Sequence, residues 1–159
     1  MRLMGIPKGV QGVKETLKLM QQLVKSYKKH PAIRQAALDL TRGLLQKDYT
    51  GEVKALYDFV RDRIRYVRDI RGVETLSTPD KILEDAAGDC DDKAVLLDAL
   101  LESLGHPTGF RAIGFKLGSF SHVMAITRIG AKWIPLETTE PVDLGWMPSK
   151  AVNVMDVYN

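Results

Sequence analysis

Apolar residues in the first third of the chain recur every three to four positions. Leu17, Met20, Val24 and Tyr27 fall on one stripe with lysines between them, and this 3.6-residue period predicts a helix over 13–28 that Pro31 stops. Ile33, Ala37, Leu40 and Leu44 repeat the pattern. They predict a second helix over 32–45, broken by the Lys47-Asp48-Tyr49-Thr50-Gly51 stretch, so that the two make an N-terminal helical hairpin. A third helix over 52–67 turns Val53, Leu56, Phe59, Val60, Ile64 and Val67 inward, with Arg61, Arg63 and Arg65 at polar positions. Thr78 as N-cap and Pro79 as first residue open a short helix over 81–85 that ends near Gly88.

From residue 90 the pattern thickens. Ala94, Leu97, Leu101 and Leu104, widened by Val95, Leu96 and Leu100, are too apolar for a surface helix, and Gly105 and Pro107 end the run. A buried central helix over 90–104 is predicted. After it the period falls to two, giving strands over 110–115, 121–129 and 132–137, the last two joined by a tight Gly130-Ala131 turn. Helices first and an antiparallel sheet last define an α+β class. No repeat or linker divides the chain, which is expected to form one compact unit: a helical extension over 1–49 packed on a core over 50–159.

Composition narrows the function classes. The chain has 159 residues, 45% hydrophobic and 27% charged, enough to bury a core without crosslinks. Its single cysteine excludes an intrachain disulfide framework, and no Cys/His cluster has zinc-site spacing. No stretch resembles a membrane span or secretory leader, so a cytoplasmic setting without a membrane partner is expected. The net charge of +3 hides an asymmetry: residues 1–74 hold 16 Lys/Arg against 8 Asp/Glu, and 75–159 hold 7 against 12. No aromatic-interleaved basic patch accompanies the excess, which reads as a solvated face complementing the acidic half rather than a nucleic-acid site.

Candidate chemistry converges on Cys90. It stands in the first turn of the central helix, with Asp89 placed as N-cap and Asp92 three residues on. The positive end of a helix favours a thiolate and can bring a cysteine pKa from about 8.5 to between about 3.5 and 7.5. A buried, inert cysteine is the plainer reading. His122 opens the second strand and shares a side with Met124, Ile126 and Arg128. Glu137 ends the third strand. The hairpin through Gly130 brings those strands together, although Glu137 lies beyond a simple cross-strand position from His122; a carboxylate at that end can orient the imidazole. His30 and His106 read as loop residues, Trp146 as a packing residue or a wall over the cleft, and Met20, Met124, Met147 and Met155 as fillers.

The run PDKILEDAAGDCDDKAVLLDALLESLGHPTGFRAIGF, followed by SHVMAI and KWIPLETT, resembles the transglutaminase-like superfamily of papain-like fold. In that family a Gly-x-Cys opens the central helix, a Leu-Gly-x-Pro turn ends it, a His starts one strand, and an Asp after a Trp-x-Pro-Leu stretch ends the next. The likeness spans about 52–139, includes Ile64-Arg65-Tyr66, and is strongest with short transglutaminase-like proteins of bacteriophages and prophages. It implies Cys90 as nucleophile, His122 as general base and then acid, and Glu137 as orienting carboxylate, where the family usually has Asp. The implied reaction is thiol acyl transfer on a protein or peptide substrate: attack on a peptide or glutamine amide, a thioester, and resolution by water or an amine. Hydrolysis is favoured over transfer. The rival from another class is a non-catalytic, phage-associated binding or assembly protein that keeps the fold.

The backbone N–H of Cys90 is a natural oxyanion donor, with Tyr66 and Trp133 as side-chain candidates. The GDCDD run sets acids beside a group that must become negative, and like charges raise a thiol pKa. Either Asp89, Asp91 and Asp92 turn away as caps, or a cation sits among them. Likeness to periplasmic calcium-dependent transglutaminase-like proteases implies Asp89 and Asp91 as calcium ligands; the chemistry itself requires no cofactor.

Overall fold

The computed structural model describes residues 2–4, 9–68 and 74–159. Helix α5 (Cys90–Ser103) forms the centre, and every residue from Asp91 to Leu101 is buried. Helices α1 (Val10–Tyr27), α2 (Pro31–Leu40), α3 (Tyr49–Arg63) and α4 (Pro79–Asp85) pack around it. Its remaining side meets the antiparallel sheet of β5 (Thr108–Gly114), β6 (His122–Ile129), β7 (Lys132–Leu136) and β8 (Asn153–Tyr158), in the order β7-β6-β5-β8. Phe110, Ala112, Val123, Ala125 and Leu136 join the helix side chains in one hydrophobic core, which also takes in Leu17, Met20, Val24, Ile33 and Ala37. The α+β arrangement is therefore the one the periodicity predicts.

Boundaries shift where a local cap competes with the apolar period. Pro31 begins α2 instead of only stopping α1: His30 is its N-cap, with Nδ1 accepting the Ala32 N–H at 3.1 Å. α2 then ends at Leu40, where the Thr41 hydroxyl turns back to the Ala37 carbonyl at 2.8 Å. Leu45 beyond it is 81% exposed, so no core contact holds the expected last turn. α3 starts three residues early because the Asp48 carboxylate accepts the Gly51 N–H at 3.0 Å, which makes the expected breaker part of the first turn.

The other end of α3 departs more sharply. Ile64 is extended, and β2 (Arg65–Tyr66) pairs in parallel with β4 (Ala87–Gly88), pinning the α3 end to the residues just before Cys90. Three further strands escape the periodicity. β1 (Arg2–Met4) pairs antiparallel with β3 (Glu74–Leu76), and β8 pairs antiparallel with β5. In β8, Met155 and Val157 pack on the core while Val154 on the opposite face is also apolar, which blurs the alternation a strand reading needs. The opposite halves also touch: Lys28 pairs with Glu102 at 3.4 Å and Arg34 donates to the Ser103 carbonyl at 2.7 Å. Among the described residues no helix is long and apolar enough to cross a membrane.

Candidate active site

Cys90 is the first residue of α5, held there by a reciprocal capping box. Asp89 Oδ1 accepts the Asp92 N–H at 2.9 Å, and Asp92 Oδ2 accepts the Asp89 N–H at 3.2 Å. Asp92 Oδ1 also accepts the Ser77 N–H at 3.1 Å, and a side chain at Gly88 would strike Asp92 Cβ at 2.6 Å. The acids at 89 and 92 therefore act as caps, each such cap contributing about 1 kcal/mol. Asp91 differs, because its Oδ1 lies 3.5 Å from the Cys90 sulfur and accepts the thiol hydrogen.

The setting does not produce the depressed thiol pKa that a helix N-terminus alone suggests. Burial pushes Cys90 well above the ordinary cysteine value, and the charges of Asp91 and Asp89 add to it; the Val123 backbone N–H, hydrogen-bonded to the sulfur, acts the other way. Desolvation and like charge outweigh the helix end.

That Val123 amide links the sulfur to the strand that carries His122. His122 Nε2 hydrogen-bonds Glu137 Oε2, so the structure brings the predicted His and carboxylate into contact. The β6–β7 ladder ends at Ala125–Leu136. Continued, its register would set Glu137 opposite Met124, two residues past the His122 row, and such diagonal neighbours lie about 7–8 Å apart. The extra methylene of Glu, relative to the Asp of the resembling family, suits that reach. Glu137 Oε1 accepts the Thr139 N–H at 2.9 Å and the Thr139 hydroxyl at 2.8 Å. Burial by itself raises this carboxyl, but the His122 hydrogen bond and charge, with Thr139, bring it below the usual glutamate value.

Two residues around Glu137 were not singled out from the sequence. The Tyr57 hydroxyl lies 2.6 Å from the Glu137 carbonyl and 2.7 Å from the Val142 carbonyl; it clamps the segment after β7 and, through burial, has its pKa pushed up to about 12. Arg61, 5.3 Å above the Tyr57 ring, donates to the same Val142 carbonyl at 2.9 Å. Lys93, one turn beyond Cys90, is 2% exposed and reaches the Arg61 carbonyl at 3.4 Å. Burial lowers its pKa to about 8 against the charges of Glu137 and Asp62. Tyr57 does fall on the buried stripe of α3, whereas nothing in the charged run around Lys93 marks it as interior.

Other candidates fall away from this cluster. His106 is no simple loop residue: it is buried, and its Nε2 meets Glu52 Oε1 at 2.8 Å. Trp133 opposes Arg128, far along β6 from His122, and its ring lies 4.7 Å from that of Tyr158. Tyr66, paired with Gly88, remains near Cys90. As to calcium, no group of three or more His, Cys, Asp or Glu among the described residues could hold a metal. Asp89 and Asp91 by themselves fall short of the six to eight oxygens calcium takes, and one Asp89 oxygen already caps α5; an ion here would need further oxygen ligands.

A family model described as the transglutaminase-like superfamily matches residues 34–138. No curated protein sequence matches the chain. Among solved structures, a candidate protease from Parabacteroides distasonis is similar at 18% identity over 79% of this chain and 26% of its own, with TM-score 0.65. A candidate cysteine protease from Cytophaga hutchinsonii is similar at 19% identity over 87% of this chain and 53% of its own, with TM-score 0.57. Calcium-bound LapG of Legionella pneumophila is similar at 19% identity over 87% and 83%, with TM-score 0.53, and an EGTA-treated form of LapG also matches. At these identities the likeness is one of fold. The chain spans about a quarter and a half of the first two relatives.

Proposed function

This chain belongs to the transglutaminase-like superfamily, and we propose that it is a cysteine-dependent acyl-transfer enzyme acting on peptide or glutamine amide bonds. The observation that carries the reading is the joint placement of an Nε2-bonded His122–Glu137 pair and, one residue on, a Val123 amide that touches the Cys90 sulfur. With Nε2 donating to an ionised Glu137, the Nδ1 of His122 is left as the proton acceptor.

Because Cys90 is held as a thiol, the proton must leave as the nucleophile attacks. The Cys90 sulfur bonds to the amide carbon while its hydrogen passes to His122, and the carbonyl electrons become an oxyanion facing the Cys90 N–H. The C–N bond then breaks, His122 returns the proton to the departing amine, and a thioester remains. Water, deprotonated by His122, releases the acid and restores the thiol; an amine in its place gives transfer. Glu137 holds the imidazole in register and stabilises its charged form. Hydrolysis is the favoured outcome.

The raised thiol favours one rival reading, a phage-associated binding or assembly protein that keeps the fold without using the cysteine. Iodoacetamide labelling of Cys90 across pH, in wild type and His122→Ala, separates the two. The enzyme reading expects His122-dependent labelling below the range of an isolated buried thiol; identical profiles in both proteins would sink it. A glutamine-containing peptide library with and without an added amine then distinguishes hydrolysis from transfer. Calorimetric titration of wild type and Asp91→Ala with calcium tests the ion: heat from wild type alone places calcium at Asp91, and no heat from either ends that idea.

A further inference from the structure

Some of the large apolar side chains that stand in solvent lie on two arms, one leading to Cys90 and the other to His122. The first is β2 and the residue after it, where Tyr66 and Val67 are exposed. Tyr66 pairs with Gly88, two residues before Cys90, and the Val67 N–H donates to the Gly88 carbonyl at 2.9 Å. The second is the β5–β6 loop that runs into His122, with Phe115 exposed and Leu117 89% exposed, beside Val152 just before β8.

The second arm is built rather than loose. The Asn153 amide donates to the Lys116 carbonyl at 2.6 Å and the Ser119 carbonyl at 2.8 Å, and the Val152 N–H donates to the Gly114 carbonyl at 2.8 Å. The loop folds so closely on Gly114 that a Cβ there would lie 1.7 Å from the Ser119 carbonyl. A loop tied at this many points that still aims a leucine at water keeps exposed a surface that isolated side chains do not explain. Val154, Ile113 and His122 form one row across β8, β5 and β6, so Val154, two residues on from Val152, stands about two strand spacings, roughly 10 Å, from His122.

The charge on the arms has one sign. Arg65 and Arg68, both exposed, bracket Tyr66 and Val67, and Lys116 lies between Phe115 and Leu117. The acids nearest the nucleophile, Asp89 and Asp91, are buried.

We propose that the two arms receive an extended peptide segment with apolar side chains on both sides of the reacting amide and a carboxylate next to Arg65 and Arg68. The proposal names the substrate class for the acyl-transfer reading and rests on it. Apolar area supplies affinity, while the arginines and Lys116 reject basic segments.

The test uses full-length Cys90→Ala protein, which cannot turn over, and fluorescence anisotropy with three labelled decapeptides sharing a central glutamine: one with Leu/Val flanks and a Glu, one with Ser flanks, one with Lys flanks. The apolar, acidic peptide is expected to bind at least tenfold more tightly than the Ser peptide, and the Lys peptide most weakly. Val67→Asp and Leu117→Asp, at exposed positions and checked by thermal melting, should each weaken the first peptide at least tenfold. Equal affinity for all three peptides, no binding of any, or indifference to both substitutions would overturn the proposal. Iodoacetamide labelling of Cys90 in the same two substitutions made on the wild-type chain, each with and without His122→Ala, keeps the readings apart. His122-dependent labelling with no peptide preference removes the docking surface alone, and peptide preference without it removes the enzyme alone.

Discussion

Glu137, after β7, and Asp98, within α5, are both buried carboxyl groups, and they are treated in opposite ways. Glu137 has His122 on one oxygen and the Thr139 amide and hydroxyl on the other, and its pKa lies below the ordinary value despite burial. Asp98, fully enclosed two turns beyond Cys90, accepts from Asn159 at 2.9 Å on Oδ2 while its Oδ1 has no partner. Burial raises it well above the ordinary value, and Asn159 and Thr108 only partly offset this. Burial alone therefore does not decide the charge of an interior acid. A nearby imidazole and a full set of donors favour the ionised form of one, and their lack shifts the other toward its neutral form.

The strongest way to break the contrast is to remove the imidazole. His122→Ala should lower amide hydrolysis by roughly 10²–10⁴-fold, the range of general acid–base catalysis, as steady-state rates would report. Shortening the acid is the next step down. Glu137→Asp installs the residue usual in the family but loses the methylene that spans the diagonal from β7, so kcat should fall about 10–100-fold with KM little changed; an unaltered kcat would show that reach is not what the glutamate supplies.

Stability against pH sharpens the same comparison. The folded pKa of Asp98 is raised above its ordinary 3.8, so ionisation opposes folding, and stability present below that value declines as pH rises toward the folded one. Asp98→Asn should remove the decline, its advantage in urea denaturation growing with pH to about 1–2 kcal/mol. Glu137 has the reverse sign: its folded pKa is lowered from 4.5, so its pairing stabilises above that value and the gain is lost as pH falls through the folded one. Asp91→Asn should have the smallest effect, because it removes one charge and keeps a side chain beside the thiol. The Cys90 labelling midpoint is expected to move to lower pH by a fraction of a unit, readable by mass spectrometry.

Much of the fold was legible in the chain because burial imposes a period on it. The buried helix from Cys90 and the strand opening at His122 follow from spacing that no local cap disturbs. The period failed where short side chains offered the backbone a local alternative, as at Thr41 and Asp48, and where β2 exchanged the last turn of α3 for a ladder with β4. Cys90, His122 and Glu137 could be named from motif and order alone. Tyr57 and Lys93 could not, since a tyrosine on a helix stripe and a lysine in a charged run look ordinary until Glu137 arrives beside them.

The sequence by itself determined the main helices, the strands of the β5–β6–β7 sheet, the superfamily likeness and the candidate cysteine, histidine and carboxylate, because periodicity and motif spacing are local properties of a chain. Only the tertiary structure decided the sign of the electrostatics. A helix N-terminus favours a thiolate, but desolvation and the angle at which Asp91 faces the sulfur depend on what packs over α5, and together they leave Cys90 a thiol. The same packing ends the β7 ladder three residues short of the His122 row and makes the reach of Glu137 matter.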